Sequence, residues 1–373
     1  MVEENIEINE RRMTLIKSES IFLLYFLPLF AVKLLDITSD SIILKLTGVI
    51  SCLLFALNVS QIKCQARLFY SFCILFCYAV ILLFTSGKQG FLFSLIMLFV
   101  LQDVKQNKRI YKACFIVGLV FLVIACINAR EGNEVTRFMN GEWITMVKRS
   151  NILYISYTAI VCLYLLIEEK HLVVKHILIV TIISYCMYLY VGSRTGFLAI
   201  MLMVCAIVLL NIPRLNKSKI MKYGCVLFPL ICFLFCLFSG INYGNNPIWE
   251  LLNMMLQGRI EQNSAYIERY DIKLFGQHIY ESTDVNDFWV LDCAYLDMLI
   301  CSGLLFLVLW IIFNMIVIKY MYEQNKIVAV SMLLMYAVYG ISETFLSNSF
   351  LNMSFFIYGQ YLYERFYDRR LKI

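Results

Sequence analysis

The sequence carries little charge for its length. Only 16% of its 373 residues are Asp, Glu, Lys or Arg, whereas 61% are hydrophobic. A soluble globular domain is about 45–50% apolar and about 25% charged. The excess apolar surface needs an apolar solvent, which a lipid bilayer supplies. The composition therefore excludes an ordinary soluble domain and predicts an integral membrane protein.

The sequence also has few histidines, prolines and glycines, and these low counts exclude further kinds of protein. With only three histidines, a His-built metal centre is not expected, and with only four prolines and sixteen glycines the chain is not of low complexity. Although there are fourteen cysteines, no two are spaced as C-x-x-C and most lie inside apolar runs, which is typical of thiols that behave as small hydrophobic residues. The first 20 residues mix acidic and basic side chains without a cleavage site, so a secretory signal is not expected.

Apolar runs that can cross a bilayer recur along the whole chain. A spanning helix needs about 20 predominantly apolar residues. We therefore predict an all-α integral membrane protein, with residues 1–373 forming a single polytopic membrane domain. The spans 174–192 and 195–212 are joined by almost no residues, which predicts a tight helical hairpin. The twelve predicted spans are 20–36, 42–60, 68–85, 89–103, 111–128, 150–167, 174–192, 195–212, 222–240, 293–318, 326–342 and 344–363.

The basic residues are distributed unevenly between the connecting segments. They concentrate at both termini and in alternate loops such as 104–112 and 213–222. Because cytoplasmic loops carry an excess of Lys and Arg, both termini are predicted to be cytoplasmic. The outer loops are then 129–149 and 241–292, and the second is expected to form short helices and to carry part of a functional site. Within it, residues 248–257 predict an amphipathic helix in the membrane interface.

Arginines on the predicted outer face run against this bias and are candidate ligands of an anionic substrate. Arg194 lies between two spans, and the flanking Gly192 and Gly196 let a ligand approach closely. The planar guanidinium group suits a diphosphate at the headgroup level. An arginine at a hairpin tip can also reach the headgroups without binding a substrate. The other candidates of this kind are Arg137, Arg259 and Arg269.

Polar side chains of the long outer loop are candidates for proton transfer. His278 is the only histidine there, although a lone loop histidine is more often a surface residue. Glu281 and Asp292 are the carboxylates available to accept a proton. Asp292 can instead cap the following helix, on which Tyr295 shares its face by i, i+3 spacing. Glu343 is expected to be solvated in a turn, and the loop acids lack the ligand spacing of a metal site.

Four short motifs occur in order between residues 130 and 305. The first is Lys148-Arg149-Ser150-Asn151, and the second is Ser193-Arg194-Thr195-Gly196 between two spans. The third is Gly258-Arg259 followed by Leu274-Phe275-Gly276, and the fourth is Asp292-Cys293-Ala294-Tyr295-Leu296 followed by Gly303.

In this order and topology, the motifs resemble those of Wzy-type O-antigen, capsular and exopolysaccharide repeat-unit polymerases, members of the O-antigen ligase and polymerase superfamily. The departures are the missing Pro of an N-P-N motif near Asn151, Gln277-His278 where a second glycine is usual, and Cys293 in place of an Asn.

The resemblance implies a GT-C-like glycosyltransferase at the outer face of the bacterial cytoplasmic (inner) membrane. It would join oligosaccharide repeat units carried on undecaprenyl diphosphate, with the lipid diphosphate as leaving group. The lipid bilayer, a flippase and a chain-length regulator are the further partners implied, with no nucleic acid, cofactor or metal. Arg137, Arg194, Arg259, Arg269 and Tyr295 would bind the diphosphate or glycan, and His278, Glu281 and Asp292 are the catalytic candidates.

Two alternatives remain open at this point. An O-antigen-type ligase would share the helices, the arginines and the loop, but would transfer a whole chain to a different acceptor. A flippase or transporter of lipid-linked oligosaccharides would more often place charge in a central cavity between two helical halves. The unusual charges of this sequence fall at the predicted outer face instead.

Overall fold

The computed structural model of the chain describes residues 18–20, 22–35, 66–88, 90–102, 104–130, 134–139, 142–147, 150–284 and 287–367. The predicted span 42–60 lies outside these residues. The helices in chain order are α1 (22–34), α2 (Ala66–Ser86), α3 (Gly90–Leu101), α4 (Lys108–Arg130), α5 (Ser150–Glu168), α6 (Val174–Val191), α7 (Arg194–Asn211), α8 (Pro213–Asn216), α9 (Lys219–Ile241), α10 (Pro247–Met255), α11 (Arg259–Arg269), α12 (Ala294–Asp297), α13 (Leu304–Glu323), α14 (Ile327–Tyr339) and α15 (Ser354–Leu362).

Helices that can cross a membrane dominate the described part of the chain. Seven of the helices found there (α2, α4, α5, α6, α7, α9 and α13) are long and apolar enough to do so. Many of their apolar side chains face outward, as on α6, where only Val180, Ser184 and Val191 are buried. Outward apolar faces on long helices fit a lipid environment, in which each helix satisfies its own backbone hydrogen bonds. The chain is therefore a helical membrane protein.

The connection between α6 and α7 is as short as the sequence predicts. α6 ends at Val191 and α7 begins at Arg194, so only two residues connect them. Gly192 adopts the left-handed conformation that ends many helices, with φ 79°, and its N–H donates to the carbonyl of Tyr188.

Two predicted spans are interrupted. The segment predicted as 293–318 consists of α12, a π-helical turn at Met298–Ser302, a break at Gly303 and then α13. The segment predicted as 344–363 begins with a 3-10 turn at Phe345–Ser347, and its helix α15 starts only at Ser354. Hydropathy does not report these breaks because the residues on both sides are equally apolar.

The two loops that the sequence predicts to be outside also contain short strands. In loop 129–149, β1 (Glu134–Met139) pairs antiparallel with β2 (Glu142–Val147), and in the long loop β3 (Ser282–Asp284) pairs with β4 (Asp287–Trp289). The predicted short helices of the long loop are α10 and α11.

The chain divides into two compact units. The first consists of residues Met1–Tyr70, Ile96–Phe197 and Phe355–Ile373. Its aromatic core contains Phe22, Phe26 and Phe30 stacked in series, with ring centroids 5.5 and 5.2 Å apart. Phe356 packs edge-on against Phe26 at 5.3 Å. Gly118 is needed beside this stack because a Cβ there would lie 2.9 Å from Phe30.

The second unit consists of Ser71–Leu95 and Leu198–Ser354, and charged residues lie at both of its ends. At one end Lys222 at the start of α9 pairs with Glu323 at the end of α13, with Nζ and Oε1 2.8 Å apart. At the other end, where α13 begins, the N–H of Leu304 donates to the carbonyl of Lys273 in the long loop. We call this second end the loop end of the unit.

Candidate functional site

Two glycines of the sequence motifs meet at the loop end. Gly276 and Gly303 both have left-handed φ values, 71° and 91°. A Cβ on Gly276 would lie 1.9 Å from the carbonyl oxygen of Cys301, and one on Gly303 would lie 2.4 Å from the nitrogen of Gly276. Only glycine allows backbones to approach so closely in this conformation. The contact holds the long loop against the break between the π-helical turn and α13.

This crossing is anchored by hydrogen bonds from α2. The hydroxyl of Tyr78 donates to the carbonyl of Ser302 at 3.0 Å, and the hydroxyl of Thr85 donates to the carbonyl of Phe275 at 3.0 Å. The N–H of Gln277 donates to the carbonyl of Ile300 at 3.1 Å, where the π-helical turn leaves it free. Three separate stretches of chain, α2, the long loop and the segment from the π-helical turn to α13, therefore meet at the loop end.

Arg259 forms the centre of the first charged group at this end. It is the first residue of α11, and its Nη1 lies 2.9 Å from Oδ2 of Asp292. Its Nη2 lies 4.0 Å from Oε1 of Glu343. Burial raises the pKa of Asp292, the neighbouring Arg259 lowers it and Glu281 raises it, with a net rise. The Nε of Arg259 is buried and has no hydrogen-bond partner among the described residues.

Glu343 is buried, so the expectation of a solvated turn is wrong. Only 7% of the residue is exposed, and Oε1 makes no hydrogen bond within the described part of the chain. Burial raises the pKa of the Glu343 carboxyl to about 8, helped by Asp292 and opposed by Arg259. An acid in so dry a position stays protonated at neutral pH because ionisation would cost too much solvation.

Lys88 forms the centre of the second charged group. It follows α2, and its Nζ lies 3.0 Å from Oδ1 of Asp297 and 3.3 Å from Oε2 of Glu281. Asp297, at the end of α12, is buried with 8% exposure, whereas Glu281 faces solvent. Burial alone would lower the pKa of Lys88, but Asp297 and Glu281 raise it above the ordinary lysine value. The ammonium group therefore stays charged.

Glu281 links the two groups. It pairs with Lys88 and also raises the pKa of Asp292, which binds Arg259. Two cations and four carboxyl groups thus share one end of the unit. Such an end can bind an anion through Lys88 and Arg259, and it offers carboxylates at different depths for proton transfer.

Arg269 contacts two tyrosine rings of the long loop. Its guanidinium carbon lies 5.8 Å from the ring centre of Tyr270 and 5.7 Å from that of Tyr280. His278 is exposed nearby, and its ring faces the turn at Gly87, where an added Cβ would lie 3.8 Å away. His278 is thus close in space to Gly87, the residue before Lys88, while Arg269 is stacked on tyrosine rings.

Tyr295 is built into the core of the second unit. It is fully buried, and its hydroxyl donates to the carbonyl of Ala337 at 2.8 Å. Its ring lies between Phe233 and Trp310, with centroids 6.4 and 5.9 Å away. In this structure the residue packs α12 against its neighbours. The preceding Asp292 makes no cap, because the N-cap of α12 is Cys293, which has no side-chain cap hydrogen bond.

The remaining predicted arginines belong to the first unit. Arg194 is exposed at the first position of α7, and the hydroxyl of the preceding Ser193 donates to Oδ1 of Asn151 at 3.3 Å. Two of the sequence motifs therefore touch here. Arg137 lies on β1 opposite Ile144 of β2.

Three residues of the charged end were missed by the sequence reasoning: Lys88, Asp297 and Glu343. For Lys88 a signal existed, because it is a basic residue in a predicted outer turn between two spans, the same anomaly that drew attention to Arg194. Asp297 and Glu343 carried no such signal, since an acid inside or beside an apolar run gives no indication of its partner.

Comparison of the chain with protein-family models, with curated proteins and with solved structures finds no match.

Proposed function

We propose that the protein is a membrane glycosyltransferase that joins oligosaccharide repeat units carried on undecaprenyl diphosphate. The observation that carries this proposal is the convergence of Lys88 and Arg259 with four carboxyl groups at the loop end of the second unit. A donor with a diphosphate leaving group needs cations where charge develops, and an acceptor hydroxyl needs a proton acceptor nearby.

The proposed reaction balances without a cofactor. The acceptor hydroxyl oxygen attacks the anomeric carbon of the donor sugar while the bond from that carbon to the diphosphate oxygen breaks. The electron pair of that bond stays on the lipid diphosphate, where Arg259 and Lys88 offset the developing negative charge. The hydroxyl proton passes to a carboxylate of the protein.

Glu281 is the carboxylate best suited to take that proton. It is exposed, it belongs to the loop that would face the substrate, and its Oε2 lies 3.3 Å from Nζ of Lys88, which orients the carboxylate. Glu343 is unsuitable as a base at neutral pH, because burial keeps it protonated with a pKa of about 8. Asp292 is engaged by Arg259, which makes it a residue that orients the guanidinium group.

The orientation of the second unit supports an outer site. The loop end holds residues 86–88 and the long loop, which the distribution of Lys and Arg places outside. The opposite end holds Lys222 and the neighbouring basic residues predicted to be cytoplasmic. We therefore propose that the charged end faces outward from the cytoplasmic membrane of a bacterium, with both termini in the cytoplasm.

The test uses purified protein in detergent with synthetic lipid-linked repeat units, so that no second compartment exists. Wild-type protein should form polymer ladders. Arg259→Ala should lower the rate by roughly a hundredfold or more, the usual loss for one charge-stabilising donor, and Arg259→Lys should restore it only in part. Lys88→Ala should also lose activity, whereas Lys222→Ala, which breaks an ion pair at the other end, should not.

Each alternative gives a different outcome. Full polymer synthesis by folded Arg259→Ala and Lys88→Ala variants would overturn the assignment of the site. Transfer of finished chains to a separate acceptor, with no joining of repeat units, would indicate a ligase. Movement of lipid between vesicle leaflets without any joining would indicate a flippase.

A further inference from the structure

Asn253 connects the two short helices of the long loop. It belongs to α10 and is buried with 8% exposure. Its side-chain Oδ1 accepts hydrogen bonds from the backbone N–H groups of Ile260 at 3.0 Å and Glu261 at 3.1 Å, in the first turn of α11. Its Nδ2 makes longer contacts of 3.4 Å with the hydroxyl of Tyr243 and with Oε2 of Glu261.

The residue at the N-cap position of α11 provides no side-chain cap. Its N-cap residue is Gly258, which has no side chain, and no side-chain hydrogen bond is made there. The first N–H groups of a helix need acceptors, which Ser, Thr, Asp or Asn at the N-cap usually supply. Here Asn253 supplies one from the preceding helix. The chain reverses tightly between the two helices, where Gln257 and Gly258 have left-handed φ values of 55° and 84°.

Arg259 is the residue that this cap holds in place. It is the first residue of α11, next to the two capped N–H groups. A cation there is disfavoured by the positive end of the helix dipole, so its position needs fixed support. That support comes from Asp292 on one side and from the rigid start of α11 on the other.

α10 approaches α9 through one pair of aromatic rings. The ring of Trp249 lies 6.3 Å from that of Phe235 on α9, on the side of α10 that also holds Asn253. Ile248, Leu251 and Met255 are exposed on the other side. Asn253 therefore links the start of α11 to α10, while α11 also packs directly against α9, where a Cβ on Gly240 would lie 3.3 Å from Cβ of Asn263.

We propose that Asn253 is a positioning residue for Arg259: its side-chain carbonyl replaces the missing cap of α11 and keeps the guanidinium group directed at Asp292. This geometric role does not depend on the reaction. Its effect on turnover rests on the proposed function.

The experiment measures the position of Arg259 and the activity separately. Purified Asn253→Leu, which keeps the size but loses the acceptor, is compared with Asn253→Asp, which keeps an acceptor oxygen, and with the smaller Asn253→Ala. The matched control is Asn246→Ala, which removes the cap of α10, where Oδ1 of Asn246 accepts from Ile248 at 2.9 Å. The first readout is the rate at which phenylglyoxal modifies Arg259, followed by peptide mass spectrometry. The second is hydrogen exchange in a peptide that covers residues 259–264.

Loss of the acceptor should increase both rates about fivefold in the Leu and Ala variants, the population change that follows from losing one helix cap. The Asp variant and the Asn246→Ala control should stay close to wild type. In the polymerisation assay, Asn253→Leu should lower kcat about fivefold or more with KM changed by less than about twofold, because Arg259 would act on charge that develops in the transition state.

The outcomes separate the two proposals. Unchanged Arg259 modification and unchanged hydrogen exchange in both folded Leu and Ala variants would overturn the positioning role, whatever the activity. Faster modification of Arg259 in those variants would uphold the positioning role. If wild-type protein in the same experiments never joins repeat units, the proposed function is rejected while the positioning role stands.

Discussion

Replacing Glu343 with glutamine should stabilise the protein at neutral and alkaline pH. Glutamine has the shape of the protonated acid but cannot ionise. Burial raises the pKa of Glu343 from 4.5 to about 8 in the folded protein. Between these values the unfolded chain carries an ionised carboxylate while the folded chain keeps the proton, so folding takes up a proton and becomes less favourable as the pH rises.

The size of the effect follows from the shift in pKa. Each unit corresponds to about 1.4 kcal/mol, so the free energy of unfolding should fall by that amount per pH unit between pH 4.5 and pH 8. At pH 7 the accumulated loss is about 3 kcal/mol, and above pH 8 it levels off near 4–5 kcal/mol, because both states are then ionised. Glu343→Gln removes this dependence.

The assay is thermal unfolding in detergent, followed by tryptophan fluorescence from pH 5.5 to pH 8.5. The difference in Tm between Glu343→Gln and wild type should grow across this range. The control is Glu323→Gln at the opposite end, where the acid is exposed and its Oε1 lies 2.8 Å from Nζ of Lys222. Parallel curves for wild type and Glu343→Gln would refute the argument that Glu343 is a buried, protonated acid.

Two further substitutions test the architecture of the loop end. Gly276→Ala should lower the Tm strongly, because its Cβ would lie 1.9 Å from a backbone oxygen. The control is Gly224→Ala on α9, where a Cβ meets nothing within 4 Å, and it should leave the Tm unchanged or raise it slightly. An equal response of both variants in fluorescence-detected melting would contradict the crossing of the two backbones. Tyr295→Phe should cost about 1–2 kcal/mol through the lost hydrogen bond to the carbonyl of Ala337 and should leave KM for the lipid-linked substrate unchanged. A large rise in KM in that variant would instead restore Tyr295 as a substrate contact.

The spanning helices were accessible from the sequence because the bilayer imposes length and apolarity on each of them. α2, α4 to α7 and α9 begin and end within a few residues of their predicted bounds. The interruption at Gly303 was not accessible in this way. It depends on a contact with Gly276, and hydropathy averaged over a window has no information about pairs of distant residues.

At the charged end, too, some residues could be predicted from the sequence and others could not. Arg259, Glu281 and Asp292 could be selected as polar residues in a long outer loop, and the structure brings all three to one place. Their partners could not be predicted, because the depth of Glu343 and Asp297 is decided by how α12 and α14 pack. Tyr295 shows the opposite error, since its i, i+3 spacing from Asp292 indicates a shared helical direction but not whether that direction leads to a ligand or into the core.

The pairing within the charged end has a consequence for selectivity. Lys88 and Arg259 already have carboxylate neighbours at 3.0 and 2.9 Å, and the carboxyl groups at this end outnumber the cations. A free phosphate ion in solution would meet a locally compensated surface, and it would have to compete with these internal pairs using its charge alone. A ligand that also has a lipid tail in the bilayer and a glycan against the tyrosine-rich loop can draw on those contacts to separate the pairs. Under the proposed function, the site would bind free phosphate weakly and would bind a diphosphate well only when it is attached to both a lipid and a sugar.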